Sequence, residues 1–153
     1  MLVCSPRAVH PPLIMLVFPP CEHKTWSEAQ RYCRQNYVDL ASIDDMAEMN
    51  RLNNTVKAGS LTEPAWIGLY NTSWRWSLGD TELNTTEFWD KKNGQPDNAK
   101  RNEFCVWMKK GLWHDEKCDK QHHFVCYGEF PCPSAYSLVC KTFTEICGVD
   151  RPV

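Results

Sequence analysis

The sequence has little of two features that would assign a chain to a membrane or to nucleic acid. Its longest uninterrupted apolar run is the hexapeptide Leu13-Ile-Met-Leu-Val-Phe18, which is far shorter than the roughly 20 residues that a membrane-spanning helix needs. Neither sign of charge dominates, since 17 Lys and Arg residues face 19 Asp and Glu residues, for a net charge of −2. The chain is therefore predicted to have no transmembrane segment, and neither nucleic acid nor an anionic membrane is expected as a partner.

The sequence also lacks closely spaced cysteine pairs, although it holds nine cysteines. The nearest pairs, Cys126/Cys132 and Cys140/Cys147, do not have the Cys-x2-Cys spacing that is typical of zinc sites. Nine cysteines in a single small domain indicate disulfides and an oxidising compartment instead. Three Asn-x-Ser/Thr sequons favour the same secretory route. They lie at Asn53, Asn71 and Asn84. We therefore expect an extracellular, secreted glycoprotein.

The two ends of the chain differ from its centre. Residues 1–20 hold five of the ten prolines and are predicted to be irregular. We interpret this segment as a degraded, truncated or misassigned leader, or equally as a disordered proline-rich tail. Residues 21–127 have a length that suits one domain. Residues 128–153 contain Cys132, Cys140 and Cys147 without a clear period, and are predicted to be a C-terminal extension.

Two helices are predicted in the first part of the domain. Thr25-Trp-Ser-Glu28 is a capping box, and Trp26, Ala29 and Cys33 recur at helical spacing, which predicts a helix over 25–36. Asp44-Asp45 is predicted to cap a second helix. The residues expected on the buried face of this helix are Met46, Met49, Leu52 and Val56.

Beyond Pro64 the helical pattern gives way to strands. Short strands are predicted over 38–43, 65–70, 74–78, 105–108, 112–113 and 123–127. Two helices with short antiparallel strands predict an α+β fold. Between the strands lies a long polar loop, 79–102, and a loop of that length in a compact domain is usually functional.

Several aromatic and histidine residues receive structural interpretations. Five tryptophans are predicted to lie in the core, because aromatic side chains dominate small cores. They are Trp26, Trp66, Trp76, Trp89 and Trp113. His122-His123 is interpreted as a surface pair rather than a metal site. No nucleophile carries a recognisable motif around it, so the chain is not expected to be an enzyme.

One cluster of oxygen-bearing side chains stands out between residues 95 and 115. It consists of Gln95, Asp97, Glu103 and Asp115. Pro96 stiffens the backbone between the first two and can adopt a cis peptide bond. Calcium prefers six to eight oxygen ligands, including carboxylates and amides. From spacing alone, however, an ordinary solvated loop is the favoured interpretation.

Residues 21–127 resemble a C-type lectin-like domain, and several short stretches of sequence are similar to those of fish members of the family. The segments that carry the resemblance are Lys24-Thr-Trp-Ser-Glu-Ala-Gln-Arg-Tyr-Cys33, Asp39-Leu-Ala-Ser-Ile43, Trp66-Ile-Gly-Leu69, Trp74-Arg-Trp76, Phe88-Trp89, Gln95-Pro-Asp97, Glu103-Phe-Cys105-Val, Trp113-His-Asp115 with Cys118, and Phe124-Val-Cys126. The resemblance implies that fold, with disulfides Cys33–Cys126 and Cys105–Cys118. It also implies a long looped segment that carries a calcium and sugar site.

The resemblance assigns roles to single residues. Gln95 and Asp97 match the Gln-Pro-Asp motif of galactose-type sites, Glu103 matches an acidic ligand, and Asp115 matches the last ligand. All four are thus predicted to hold calcium and carbohydrate. Where the family has Asn before that last ligand, this chain has His114, and imidazole suits zinc or copper better than calcium.

The change at position 114 leaves two functions open. The first is a carbohydrate-binding lectin-like module, calcium-dependent and galactose-type, with a carbohydrate or glycoprotein ligand. The alternative is a calcium-independent module that binds protein or glycan, and ice binding is a remote third. Lys100 and Arg101 favour the alternative, because they lie among the acids and are expected to turn inward where no ion binds. The oligomeric state and the pairing of the other cysteines stay open. These cysteines are Cys4, Cys21, Cys132, Cys140 and Cys147.

Overall fold

A computed structural model describes residues 14–17, 22–58 and 63–129 of the chain. Two helices and nine short strands make up its regular structure, with three 3-10 turns between them. In chain order the elements are β1 Ile14–Val17, α1 Trp26–Asn36, β2 Asp39–Leu40, α2 Met46–Ala58, β3 Ala65–Tyr70, β4 Arg75–Trp76, β5 Thr81–Glu82, β6 Cys105–Lys109, β7 Leu112–Glu116, β8 His123–Phe124 and β9 Cys126–Glu129. Among the described residues, neither helix is long and apolar enough to cross a lipid bilayer.

The strands form two sheets. The smaller sheet has the order β1-β9-β2, and both of its pairings are antiparallel. The larger sheet runs β5-β4-β3-β6-β7, with β8 added in parallel to β3. The antiparallel β6–β7 hairpin leaves β7 at the edge of this sheet. Two helices with mainly antiparallel sheets confirm the predicted α+β class.

Strand β1 corrects the expectation that residues 1–20 are irregular throughout. It pairs with β9 from Ile14 opposite Glu129 to Val17 opposite Cys126. The physical reason is that the prolines flank this short run and do not interrupt it, so the run keeps every backbone N–H that a strand needs. The other residues of 1–20, and the extension from residue 130 onward, lie outside the described residues.

Helix α1 forms as its sequence predicts. The Thr25 hydroxyl accepts a hydrogen bond from the Glu28 amide at 3.4 Å, and the Glu28 carboxylate accepts one from the Thr25 amide at 2.9 Å. This reciprocal capping box satisfies two backbone groups at the helix start. The predicted inner face, Trp26, Ala29 and Cys33, is buried.

Helix α2 differs from its prediction at one position. Met49 and Leu52 are buried, as predicted, but Met46 is 52% exposed. Met46 is the first helical residue, and the turn around it is occupied by polar capping, in which the Asp45 carboxylate accepts a hydrogen bond from the Glu48 amide at 2.8 Å. The side chain of Val56 lies outside what the structure describes.

The core contains all five tryptophans that the sequence assigns to it, each at most 5% exposed. Trp113 lies at the centre of an aromatic group, with ring centroids 5.6 Å from Trp76, 5.7 Å from Trp89 and 5.0 Å from Phe88. Such aromatic contacts contribute beyond the area they bury. They fix strand β7, which carries Trp113, against Phe88 and Trp89 of the long loop.

Both disulfides implied by the family resemblance are present. Cys33–Cys126 joins α1 to β9 with a Cα–Cα distance of 5.3 Å, and Cys105–Cys118 joins β6 to the segment after β7 at 5.2 Å. Both distances lie in the range that a disulfide requires. The first links positions 93 residues apart, so it restricts the unfolded chain over most of the domain.

His122, just before β8, and His123, its first residue, are not a surface pair. His123 is only 9% exposed, and the His122 ring packs edge-on against Trp66 at a centroid distance of 4.7 Å. The reason is the parallel pairing of β8 with β3, which draws this segment into the interior of the larger sheet. A backbone bridge between Lys24 and His122 also ties the start of the domain to this segment.

We expect acidification to destabilise the packing around β8. Burial lowers the pKa of His122 and of His123 below the ordinary value, so the folded state prefers neutral imidazole. The stabilisation is present above a pH of about 6.5 and is lost as the pH falls through the lowered pKa values. The charged groups that act on the two rings are His23, Lys120, Glu63 and Glu116; the acids oppose the shift.

Urea denaturation at neutral and mildly acidic pH measures this effect. The wild type should lose more of its free energy of unfolding on acidification than a variant that combines His122→Gln and His123→Gln. An equal loss in both proteins would show that other groups carry the pH dependence.

Candidate metal and ligand site

The long loop is held on the exposed edge of β7. The Trp113 amide donates a hydrogen bond to the Phe88 carbonyl at 2.8 Å, and the Asp90 amide donates one to the Trp113 carbonyl at 3.1 Å. The side chains of Phe88 and Trp89 are buried beneath this contact. The loop predicted over 79–102 thus contains strand β5 and short 3-10 turns, and an isolated parallel bridge between Trp89 and Trp113 holds it on the sheet.

Three of the four predicted ligand residues come together at this edge. Asp97, Glu103 and Asp115 each offer a carboxylate oxygen, and these three oxygens lie within 4.8 Å of one another. Asp115, on β7, is buried, Glu103 is half-buried, and Asp97 is exposed at the rim. We refer to these three carboxylates as the acidic cluster. Its graded exposure leaves the cluster open to solvent on one side.

Backbone amides of the loop orient the acidic cluster. The two carboxylate oxygens of Asp115 accept hydrogen bonds from the amides of Asp97 at 3.1 Å and Asn98 at 2.7 Å. The Ala99 amide lies 3.0 Å from both Asp97 Oδ1 and Glu103 Oε2. Asn98 has a left-handed backbone, with φ of 44°, which turns the following amides towards the acids. Each carboxylate is thus held in place and keeps further lone pairs for an ion.

The electrostatics of the cluster favour a bound cation. Partial burial, together with the nearby carboxylates of Asp115 and Asp97, raises the pKa of Glu103. Carboxylates in close proximity repel one another, and a positive charge between them removes that repulsion. Within the described ranges, no lysine or arginine forms an ion pair with any of the three acids.

The basic residues of the loop do not supply this positive charge. The sequence predicts that Lys100 and Arg101 turn inward if no ion binds and point to solvent if calcium binds, and both side chains are exposed. Their backbone is left-handed, with φ of 61° and 57°, in the 3-10 turn Ala99–Arg101. The backbone amides already hold the carboxylates in place without a basic side chain.

Gln95, the fourth predicted ligand, has an unsatisfied amide oxygen. Its Oε1 atom is buried and accepts no hydrogen bond from any described residue. A buried polar atom without a partner costs free energy, so such an atom close to a ligand motif points to a missing partner. The peptide bond from Gln95 to Pro96 is cis, the form that the sequence allowed.

His114 makes its contacts with residues outside this cluster. Its Nε2 atom lies 3.0 Å from the Asp90 carboxylate, and its ring stacks on Trp107 with centroids 4.2 Å apart and planes 5° from parallel. Hydrogen bonds from Asn93 and from His114 lower the pKa of Asp90. The residue that replaces the expected Asn therefore forms a hydrogen bond of its own with Asp90 and is not a member of the acidic cluster.

Sequence reasoning missed Asp90, Asn93 and Trp107 as partners in this region. Asp90-Lys-Lys-Asn93-Gly94 has the composition of a turn, which could have indicated the contact between Asp90 and Asn93. Nothing in the sequence indicated that His114, 24 residues further on, completes this group. Trp107 faces His114 across the β6–β7 hairpin, and its position depends on a register that is known only from the structure.

The three sequons differ in accessibility. Asn71 and Asn84 are exposed. Asn53 is half-buried, and its amide nitrogen lies 2.9 Å from the position that a Cβ on Gly111 would occupy. A large glycan has room at the first two positions and much less at the third.

Comparison with known proteins gives a consistent result. The family model described as "Lectin C-type domain" matches residues 22–128. Rat (Rattus norvegicus) E-selectin is 35% identical over 114 residues, which cover 69% of this chain and 20% of the selectin. The C-type lectin lectoxin-Phi1 of Philodryas olfersii is 34% identical over 113 residues, which cover 67% of this chain and 70% of that protein. The chain thus spans about one fifth of the length of the selectin it matches. The similarity to fish members stays a prediction.

Solved structures share the fold. The carbohydrate-recognition domain of the mouse scavenger receptor C-type lectin superimposes with a TM-score of 0.66 at 25% identity, and the match covers 84% of this chain and 100% of that one. Human lithostathine gives a TM-score of 0.65 at 25% identity, with 75% and 91% covered.

We expect Asp115, and not the basic residues, to hold the long loop in place without metal. Asp115→Ala removes two hydrogen bonds to a charged group, each worth about 1.5–3 kcal/mol. In the presence of a chelator, limited proteolysis within residues 91–104 should therefore be at least about tenfold faster than in the wild type. The exposed Asp119→Ala is the matched control and should have no effect.

The combined change Lys100→Ala with Arg101→Ala completes this test. Because neither side chain forms an ion pair with the acids, cleavage of this double variant in chelator should match the wild type. Faster cleavage would show that the two basic residues hold the loop.

Proposed function

The chain belongs to the C-type lectin domain family, and on this premise we propose that it is a carbohydrate-binding module whose sugar site lies at the acidic cluster and depends on calcium. The observation that carries the proposal is the close approach of the three carboxylates. The unpartnered amide oxygen of Gln95, two residues before Asp97 in the same loop, supports it. Hard oxygen donors of this kind suit calcium. The proposed role is binding without catalysis.

The proposed calcium ligands are the four residues that the sequence singles out. They are Gln95, Asp97, Glu103 and Asp115. When bound, calcium would offer open coordination positions to two vicinal hydroxyls of a sugar. The protein's own contribution is to hold the carboxylates in place through loop amides and to keep Asp97 at the solvent-exposed rim. Galactose is the proposed sugar class, because Gln95-Pro-Asp97 resembles the motif of galactose-type sites.

A calcium-independent recognition module for protein or glycan is the second candidate. Two observations favour it. His114 is engaged with Asp90 and Trp107, so the site lacks the amide ligand expected at this position. In addition, backbone amides already orient all three carboxylates. A pre-formed loop of this kind can present a binding surface without an ion.

The location and boundaries of the module are also proposals. We propose that it is extracellular, because two disulfides persist best in an oxidising compartment. Glycans are proposed at the exposed Asn71 and Asn84. The proposed domain covers 21–127, with β1 added to its smaller sheet and with 128–153 as a cysteine-containing extension.

Retention on immobilised galactose tests the proposed function. We expect the full chain to be retained in calcium and released by a chelator or by free galactose. Glu103→Gln keeps the shape of the side chain but removes its charge, so this variant should not be retained. Glu87→Gln changes an exposed acid of the same loop and should behave as the wild type.

Two other outcomes of the resin experiment would contradict the proposed function. Retention that is unchanged by a chelator would reject calcium dependence and support the second candidate. Failure to bind galactose, mannose and N-acetylglucosamine resins in calcium would reject the proposed carbohydrate site.

His114→Asn should strengthen calcium binding. The substitution offers a hard amide oxygen where imidazole offers nitrogen, and it releases the side chain from Asp90. Isothermal titration should show roughly tenfold tighter binding, which corresponds to about 1.4 kcal/mol. His114→Ala is the control, because it removes the imidazole without adding an oxygen. Equal affinity of the wild type and the Asn variant would place position 114 outside the ion's coordination shell.

A further inference from the structure

A second group of potential metal ligands lies at the start of the domain, where His23 meets His123. Their Nε2 atoms are 3.0 Å apart, and the rings meet edge to face with centroids at 4.2 Å. The two residues are 100 positions apart in the chain, so the fold alone brings them together.

Backbone pairing fixes this meeting. The Lys24 amide donates to the His122 carbonyl at 3.0 Å, and the His122 amide donates to the Lys24 carbonyl at 3.0 Å. This antiparallel bridge places the residues on either side of it, His23 and His123, opposite each other. The indole of Trp66 donates to the Lys24 carbonyl at 2.9 Å and anchors the same segment. The pair is therefore held by the scaffold rather than by the two side chains alone.

The distance between the two nitrogens fits a shared metal ion. Zinc–imidazole bonds are about 2.0–2.1 Å long, so two such ligands on a tetrahedral or octahedral ion lie roughly 2.9–3.4 Å apart. The observed 3.0 Å falls in this interval. In the absence of metal the same contact is satisfied when the Nε2–H of one ring donates a hydrogen bond to the Nε2 of the other. Metal binding replaces that hydrogen and turns both ring nitrogens towards the ion.

The surroundings favour a cation and give it access. His123 is buried, and burial lowers its pKa, which favours the neutral imidazole that a metal requires. The negative charge of Glu63 acts on the same ring. His23 is exposed, so an ion can reach the pair from solvent.

We infer that His23 and His123 form a binding site for a borderline transition-metal ion, and that this ion is Zn²⁺. Nitrogen donors suit zinc, copper and nickel, whereas the oxygen donors of the acidic cluster suit calcium. The chain would then hold two cation sites of different chemistry. Within the described ranges, no third histidine, cysteine or acidic side chain completes a group of three metal ligands with the pair. The site should accordingly be weaker than a closed four-ligand zinc site.

Zinc titration and copper spectroscopy test the site in the full chain. Free thiols are first alkylated, and calcium is kept in excess so that the acidic cluster does not take up the probe metal. Isothermal titration with Zn²⁺ should show one site in the wild type. Electron paramagnetic resonance of the Cu²⁺ form should show coupling to two imidazole nitrogens.

The variant His23→Gln separates a true site from other metal binding. His23 is exposed, so the variant should fold, and it should lose both the zinc isotherm and the two-nitrogen signal. Two controls should keep both: Glu22→Gln at the neighbouring exposed position, and His10→Gln at a histidine outside the described residues. A zinc isotherm that survives in His23→Gln, or a copper spectrum with oxygen ligands only, would overturn the inference.

Discussion

The attachment of the long loop to the edge of β7 is the constraint on which the rest of the site depends. Strand β7 is the last strand of the larger sheet, and one edge would present unpaired backbone groups to solvent. The loop covers that edge through Phe88 and Asp90, which bond the amide and the carbonyl of Trp113. This pairing gives a long polar segment a fixed path. The remaining loop then turns back so that its amides reach Asp115, two residues further along the strand.

The alternation of side chains along β7 distributes three functions over three consecutive residues. Trp113 points into the core and packs against other aromatic rings. His114 points to the opposite face and stacks on Trp107. Asp115 returns to the buried face and receives the amides of the loop. Because strand side chains alternate with a period of two, a one-residue slip of the β6–β7 hairpin would remove both the core anchor and the carboxylate.

The parts of the molecule that followed from sequence are those decided by local or strongly patterned interactions. The capping box at Thr25 and the helical spacing of Trp26, Ala29 and Cys33 located α1, and the family resemblance implied both disulfides. Contacts set by the tertiary structure were not accessible. The hydrogen bond of His114 with Asp90, the burial of His123 and the pairing of β1 with β9 all depend on segments distant in the chain. Local composition does not indicate which distant residues will be in contact. For Lys100 and Arg101, charge left both an inward and a solvent-facing position open, and both side chains are exposed.

The central claim is that the fold brings Asp97, Glu103 and Asp115 together as a calcium site. A crystal structure of the full chain grown in calcium with galactose tests it most directly. We expect an ion about 2.3–2.6 Å from a carboxylate oxygen of each of the three acids, with two sugar hydroxyls completing its coordination. Galactose bound elsewhere, or bound at this loop with no ion among the three carboxylates, would contradict the account.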